Sequence, residues 1–475
     1  MSMGLSCQHV SEWLQPAQWV GAEPAHAAPP VLRVHTDSRG IAPGDLFVAL
    51  RGERFDANDF LADARARGAV VAIAQGETAA VRLAGAGLPG WVVHDARLAL
   101  GQIARHWRAQ FELPLMGVTG SNGKTTVTQM IASILRTWLG EAALATQGNL
   151  NNDIGVPQTI LRLRSEHRVA VVELGMNHPS EIAHLAAIAQ PTVALVNNAQ
   201  REHLEFMQTV EAVARENGAV IAALPADGVA VFPADDVYSG LWAQLAGARR
   251  TLCFAATAHA QANVYATQVN WTGVTWQVRA ATPQGELGYD LHIAGAHNVK
   301  NSLAALACAL AAGVPLAAIG QGLSAFEPVK GRSRAMQVRQ GTRHITLVDD
   351  SYNANPDSVL AAIDVLAALP GPHLLVLGDM GEVGDQGPLF HAEALRHALQ
   401  KDIEKVFVTG VQFAQAAAEF DATEVLPEMS DMKAAVLGAL PGVASVLVKG
   451  SRFMKMEQVV QTVLDAQTDE RSTAC

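Results

Sequence analysis

The run Gly117-Val118-Thr119-Gly120-Ser121-Asn122-Gly123-Lys124-Thr125-Thr126 carries the densest chemistry in the chain. It follows a short apolar segment and opens one with helical spacing. Glycines there let backbone N–H groups turn inward around phosphate oxygens, and a helix start adds partial positive charge. Gly120, Asn122, Gly123, Lys124, Thr125 and Thr126 are therefore the expected cradle of a nucleoside triphosphate. Lys124 would reach the β and γ phosphates and Thr125 would hold Mg²⁺. The spacing Gly-x-x-Gly-x-x-Gly-Lys-Thr departs from the strict P-loop form because residue 118 is valine.

Other candidates sit at strand ends. Glu173 closes the apolar run Val169 to Glu173, where a carboxylate faces the ligand crevice and would be the second protein ligand of Mg²⁺. His203 follows another apolar run, in Asn197-Asn198-Ala199-Gln200-Arg201-Glu202-His203, and its imidazole would bind a second metal or polarise a phosphoryl oxygen. The plain alternative is an exposed loop histidine. Asn298 and Asn301, three apart on one helix face, would read an adenine edge, or Asn298 would only cap its helix. Asp350, Tyr352 and Asn353 follow the run Ile345 to Asp349. A carboxylate there suits ribose hydroxyls and Tyr352 a base, while Arg332 upstream offers a cation to a transferring phosphoryl group. Lys449 ends a strand and either starts an anion-binding helix or is a surface lysine. Gly378, Gly381 and Gly384 fall at i, i+3 and i+6, which argues against a nicotinamide site.

The elements that must hold these residues alternate. Short strands and turns fill residues 1–112, with apolar runs at Val31 to Val34, Leu46 to Leu50 and Val70 to Ala74. From about 115, runs at Leu115 to Val118, Val169 to Glu173 and Val193 to Asn197 are separated by helical stretches, beginning with Lys124 to Trp138. A third alternation starts near 330, with runs at Ile345 to Asp349, Leu374 to Leu377, Val406 to Thr409 and Ser445 to Val448. The alternation predicts an α/β protein of mostly parallel sheets covered by helices. The alanine-rich stretch from Ser302 reads as a buried helix ending at Gly313, not a membrane span.

Composition narrows the class. The chain has 475 residues, 49% hydrophobic and 17% charged, and a formal net charge of −11. That length suggests about three domains, and the acidic balance argues against a nucleic-acid partner. Cys7, Cys253, Cys308 and Cys475 form no Cys-x-x-Cys pair, so free thiols in a reducing cytoplasm are expected.

Together these motifs resemble the Mur ligase family of bacterial peptidoglycan synthesis. The resemblance runs from Thr36 to about Met456. Besides the P-loop it rests on Thr36-Asp37-Ser38-Arg39, Leu50-Arg51-Gly52-Glu53-Arg54-Phe55-Asp56, Asn149-Leu150-Asn151-Asn152-Asp153, Glu173-Leu174-Gly175-Met176-Asn177, His297-Asn298, Asp350-Ser351-Tyr352-Asn353-Ala354-Asn355-Pro356 and Leu447-Val448-Lys449-Gly450-Ser451-Arg452. It implies three domains: a small α/β UDP-substrate domain over 1–112, a central P-loop ATPase domain over 113–328 and a C-terminal Rossmann-like domain over 329–475. It implies ATP and Mg²⁺ as cofactors, with Lys124, Thr125 and Glu173 holding them. Ser38, Arg39, Arg51 and Phe55 would lie near the UDP group, Asn152 and His203 would line the reaction centre, and Asn298, Asn301, Arg332, Asp350, Tyr352 and Asn353 would hold the nucleotide from the far side. Asn353-Ala354-Asn355-Pro356, and the absence of an Asp-Asn-Pro-Arg signature, match the branch that adds D-alanyl-D-alanine to UDP-N-acetylmuramoyl-tripeptide. A cytoplasmic monomer is the expected form, with the tripeptide's third residue left open. Many family members carry a carbamylated lysine after the histidine loop; the aligned position is Asn217, with Glu216 beside it as a substitute ligand for a second metal. A nucleotide-hydrolysing switch and a folylpolyglutamate-type ligase are the competing readings, and the two motifs before residue 60 count against both.

Overall fold

A computed structural model describes residues 3–472 except 54, 274 and 421, with side chains to residue 466. Cys475 and Arg54, both read above, lie outside the described residues. Cys7, Cys253 and Cys308 are buried free thiols.

Three sheets follow one another along the chain. The first has five strands in the order Gln18–Val20, Gly90–Val93, Val71–Gln75, Asp45–Val48 and Arg33–His35, all parallel except the first. The second has nine. Its parallel part runs Ala143–Ala145, Val169–Glu173, Leu115–Thr119, Val193–Val196, Val229–Pro233, Arg250–Ala255 and Val264–Trp271. Two antiparallel strands, Trp276–Thr282 and Gly285–Leu291, extend it. The third has six, in the order Arg334–Gln340, Arg343–Asp350, Ser445–Lys449, His373–Gly378, Lys405–Thr409 and Thr423–Val425, parallel apart from the first pair. The expected α/β class with mostly parallel sheets is thus present. The antiparallel edge of the central sheet had no sequence-based counterpart. Its strands alternate polar and apolar residues on a half-exposed face, unlike the continuous apolar runs of buried parallel strands.

How the units join differs. One apolar cluster runs without a break from Leu5 and Trp91 of the first unit to Val156, Leu174 and Ala255 of the second. At that seam Trp107 donates to the Leu163 carbonyl, and the buried Arg108 guanidinium donates to the carbonyls of Phe111, Leu113, Ala189 and Gln190. The third unit instead has its own apolar cluster on each face of its sheet; among the described residues only Ala294 and Leu204 reach it from earlier in the chain.

The alanine-rich segment forms the helix His297–Ala311, buried along most of its length, and a turn at Gly313 leads to a second helix, Leu316–Ser324. No helix among the described residues is long and apolar enough to cross a membrane.

Candidate functional site

The strand Leu115–Thr119 lies between Val169–Glu173 and Val193–Val196, so the loops after all three meet at one edge of the sheet. Gly120 and Gly123 have φ of +131° and +80°. A Cβ on Gly123 would stand 2.7 Å from Asn301 Oδ1 and 2.8 Å from Asn197 Nδ2, so glycine is required there by both conformation and space. The helix Lys124–Leu139 begins directly after it. Thr125 Oγ1 donates to Glu173 Oε1 at 3.1 Å, and Asn151 Nδ2 donates to the same oxygen at 2.8 Å. Glu173 is 1% exposed, and its Oε2 is buried without a partner. A buried carboxylate oxygen left unpaired beside a hydroxyl is costly in the protein alone and is the donor set a hard cation takes. The residues present therefore fit Mg²⁺ held by Thr125 and Glu173 with phosphate oxygens. Among the described residues no three His, Cys, Asp or Glu side chains gather as a cation site.

Lys124 Nζ turns back to the carbonyls of Gly120 (2.5 Å) and Ser121 (3.0 Å) and to Glu202 Oε1 (2.7 Å). Glu202 also faces His203 Nε2 at 3.4 Å, while His203 Nδ1 pairs with Glu382 of the third unit. Burial lowers the His203 pKa, but the hydrogen bonds to Glu202 and Glu382 outweigh it and raise it to about 9. Across the opening, Arg332 stacks 4.1 Å from the ring centre of Tyr352, and Lys449 Nζ bonds Asp350 Oδ2 (2.5 Å) and the Asn353 carbonyl (2.9 Å). These groups border one cleft of about 930 Å³, which also reaches Arg97 and Leu98 of the first unit. The cleft thus draws on all three sheets.

Three family profiles match the chain in order: "Mur ligase family, catalytic domain" over residues 31–108, "Mur ligase middle domain" over 118–309 and "Mur ligase, glutamate ligase domain" over 334–452. The UDP-N-acetylmuramoyl-tripeptide--D-alanyl-D-alanine ligase of Escherichia coli K12 is 39% identical over 440 residues, 92% of this chain and 94% of that protein. The chain belongs to the Mur ligase family. The Haemophilus influenzae protein of the same description is 37% identical over 443 residues, 92% of this chain and 94% of its own. A crystal structure of MurF from Acinetobacter baumannii superposes with a TM-score of 0.87 at 33% identity, covering 98% of this chain and 99% of that one.

In this Mur ligase, Asn122, Gly123, Lys124, Thr125, Thr126, Asn152, Glu173, His203, Asn298, Asn301, Arg332, Asp350, Tyr352 and Asn353 all border the cleft. Gly120 lies in the loop behind it. Ser38, Arg39, Arg51 and Phe55 lie apart, on the first unit; Phe55 is 60% exposed and Arg39 pairs with the neighbouring Asp37. The loop of Ser38 and Arg39 is tied inward where Gln158 Nε2 donates to Thr36 Oγ1 at 2.6 Å.

Several expectations need correcting in detail. Asn298 and Asn301 are buried, and neither offers an open edge to a base. Asn197 Nδ2 donates to Asn301 Oδ1, Asn301 Nδ2 to Asn298 Oδ1, and Asn298 Nδ2 to the Ala294 carbonyl. This amide relay braces the P-loop, because Asn197 Nδ2 also donates to the Asn122 carbonyl. Nor does Asn298 cap its helix, whose N-cap is Ala296. His203 has both ring nitrogens against carboxylates, so in this arrangement it holds no lone pair free for a metal. Asp350 has both oxygens engaged, by Ser333 and Lys449. The Tyr352 ring already carries Arg332. Glu216 accepts from Ser180 N and Ile182 N at the start of the helix Glu181–Ala189 and does not face the phosphate loop. Asn217 is buried and accepts from Thr119 Oγ1 and Gly120 N. Lys449 is neither a surface residue nor the start of a helix.

Sequence reasoning missed Glu202, Asn197, Gln200 and Arg97 as site residues. The largely polar run Asn197 to Glu202 directly after an apolar parallel strand was the available signal for the first three.

Proposed function

We propose that this enzyme forms an amide bond between UDP-N-acetylmuramoyl-tripeptide and D-alanyl-D-alanine at the expense of ATP, in cytoplasmic peptidoglycan precursor synthesis. In this reading residues 1–112 carry the UDP end of the substrate, 113–328 bind ATP and 329–475 close over the nucleotide. The observation that carries it is the single cleft uniting the P-loop, the paired Thr125 and Glu173, the cations Arg332 and Lys449, and the first unit's Arg97. The relatives' descriptions supply the identity of the two substrates.

The tripeptide's terminal carboxylate would attack the γ-phosphorus of ATP, giving an acyl phosphate and ADP. The amine of D-alanyl-D-alanine would then attack that carbonyl, and phosphate would leave. Two anions must meet in the first step, so concentrated positive charge is required. Lys124 would exchange Glu202 and the loop carbonyls for phosphate oxygens. Arg332 would neutralise the transferring group, with Lys449 holding its loop. Mg²⁺, held by Thr125 and Glu173, would supply further charge at the phosphates. Asn152, whose side chain accepts from Gly155 N at 2.9 Å and which borders the cleft, would line the reaction centre. Ser38, Arg39, Arg51 and Phe55 would grip the uridine nucleotide outside the cleft. The third unit would exclude water from the acyl phosphate.

The test is phosphate release from ATP and Mg²⁺ with each substrate added singly and together. Release that requires both, with a product mass equal to their sum minus water, supports the reading. Release indifferent to both would overturn it.

A further inference from the structure

We propose that Arg201 is a positioning residue that clasps the third unit over the P-loop and sets how much of the enzyme is closed. Its backbone N–H donates to Asp357 Oδ2 at 2.7 Å, and its Nε and Nη2 donate to Asp357 Oδ1 at 3.0 and 2.7 Å. Its Nη1 donates to Glu393 Oε2 at 2.7 Å, and the guanidinium lies 5.1 Å from the centre of the Phe390 ring. Asp357 belongs to the helix Pro356–Ala367, whereas Phe390 and Glu393 belong to Gly387–Gln400. One central-unit side chain therefore grips two helices of the third unit. A guanidinium does this with fixed, divergent donors, which lysine lacks.

The place of the clasp matters. Gln200, the preceding residue, accepts from Asn122 Nδ2 of the P-loop at 2.7 Å. Asn122 Oδ1 in turn accepts from Asn355 Nδ2 at 2.9 Å. Asn355 caps the helix on which Asp357 sits, and its loop carries Tyr352 with Arg332 stacked on it. Arg201 thus holds the helix start that aims Arg332 across the cleft. Because the third unit shares almost no apolar core with the second, polar contacts set its docking, and motion between the units is the default without them. Among the described residues the other polar contacts across this boundary are weaker anchors: the neutral Asn122–Asn355 pair, one backbone bond from Glu205 N to the Glu382 carbonyl at 3.3 Å, and His203 with Glu382, whose carboxylate is half-exposed.

The kinetic consequence rests on the ligase reading; the structural one does not. The experiment uses the full chain with Cys475→Ser and spin labels at Val81→Cys and Leu399→Cys, exposed positions on the first and third units. Electron–electron distance measurement is paired with steady-state kinetics for Arg201→Ala and Asp357→Asn. The expected result is a longer, broader distance distribution in both variants and kcat reduced about tenfold, as when the competent fraction falls by that factor. The melting temperature should stay within about 2 °C. The exchange Arg201→Asp with Asp357→Arg should restore part of the short distance and part of kcat. Unchanged distances in both variants would overturn the clasp whatever the activity. Longer distances with wild-type kcat would overturn the positioning role. If the parent protein proves not to be this ligase, the distances still decide the clasp.

Discussion

Replacing Lys449 with methionine should unfold the third unit at a markedly lower temperature. The ammonium is 4% exposed and the Asp350 carboxylate 15%, with 2.5 Å between Nζ and Oδ2. Burial alone would push the Asp350 carboxyl up, and the charge and hydrogen bond of Lys449 bring it below its ordinary value. Methionine keeps the apolar stem but leaves that carboxylate uncompensated. Breaking such a pair costs about 3–5 kcal/mol, and the bonds from Ser333 N and Oγ to Oδ1 place this case near the lower end. For a unit of this size each kcal/mol moves the midpoint by about 3–6 °C, so the third-unit transition should fall by roughly 10–15 °C. Calorimetry without nucleotide would follow the wild type, Lys449→Met, Asp350→Asn and the double variant. The double variant should recover more than half of the loss, because removing both partners leaves no buried charge. A single-variant shift below about 3 °C, or a double variant no better than Lys449→Met, would refute the reasoning.

Further outcomes follow from the same geometry. Lys124→Ala should lower phosphate release by about a thousandfold or more while circular dichroism and melting stay near wild type; wild-type turnover would sink the P-loop assignment. Glu173→Gln should raise the melting temperature of the metal-free protein by relieving the unpartnered buried carboxylate oxygen Oε2, yet raise the Mg²⁺ concentration for half-maximal activity on the order of tenfold. A variant that is less stable and has an unchanged Mg²⁺ requirement would contradict that role. His203, raised to about 9 in the fold from about 6.5 unfolded, contributes stability that is fully present below about pH 6.5. Between 6.5 and 9 the folded state binds the extra proton, so this contribution falls as pH rises through 9. The melting-temperature gap between wild type and His203→Gln should therefore close above pH 9; a gap that is constant from pH 6 to 10 would show that the His203 charge is not what holds Glu202 and Glu382.

The sequence disclosed the parts of the fold governed by local pattern. Val169–Glu173 reads as a buried strand because it is apolar throughout, and the helix after Gly123 is announced by the glycine that only a left-handed φ explains. The half-exposed strands Val264–Trp271 and Trp276–Thr282 near one edge of the central sheet escaped because polar residues interrupt their periodicity and their pairing is a tertiary event. At the site, residue type located the phosphate loop, its lysine and its threonine. It did not say which way an amide would point. Asn298 and Asn301 carry the chemistry to read a base, yet their donors and acceptors are consumed by Asn197 and a carbonyl.

That consumption is informative about how the site works. The P-loop is held from behind by neutral amides and by Asn217, whose bonds do not depend on pH or on a ligand. The charged groups around the cleft are instead paired with one another: Lys124 with Glu202 within the central unit, Asp350 with Lys449 within the third, and His203 with Glu382 between the two. A triphosphate entering this cleft brings negative charge that competes with Glu202 for Lys124, so binding releases a buried carboxylate beside His203. Glu202→Gln should consequently tighten nucleotide binding, since Lys124 would no longer leave a charged partner to reach the phosphates. Isothermal titration with a non-hydrolysable ATP analogue measures this directly. An improvement of about tenfold, or 1.4 kcal/mol, is the scale expected from removing one charged hydrogen bond, and weaker binding in the variant would mean that Glu202 helps the nucleotide and does not compete with it.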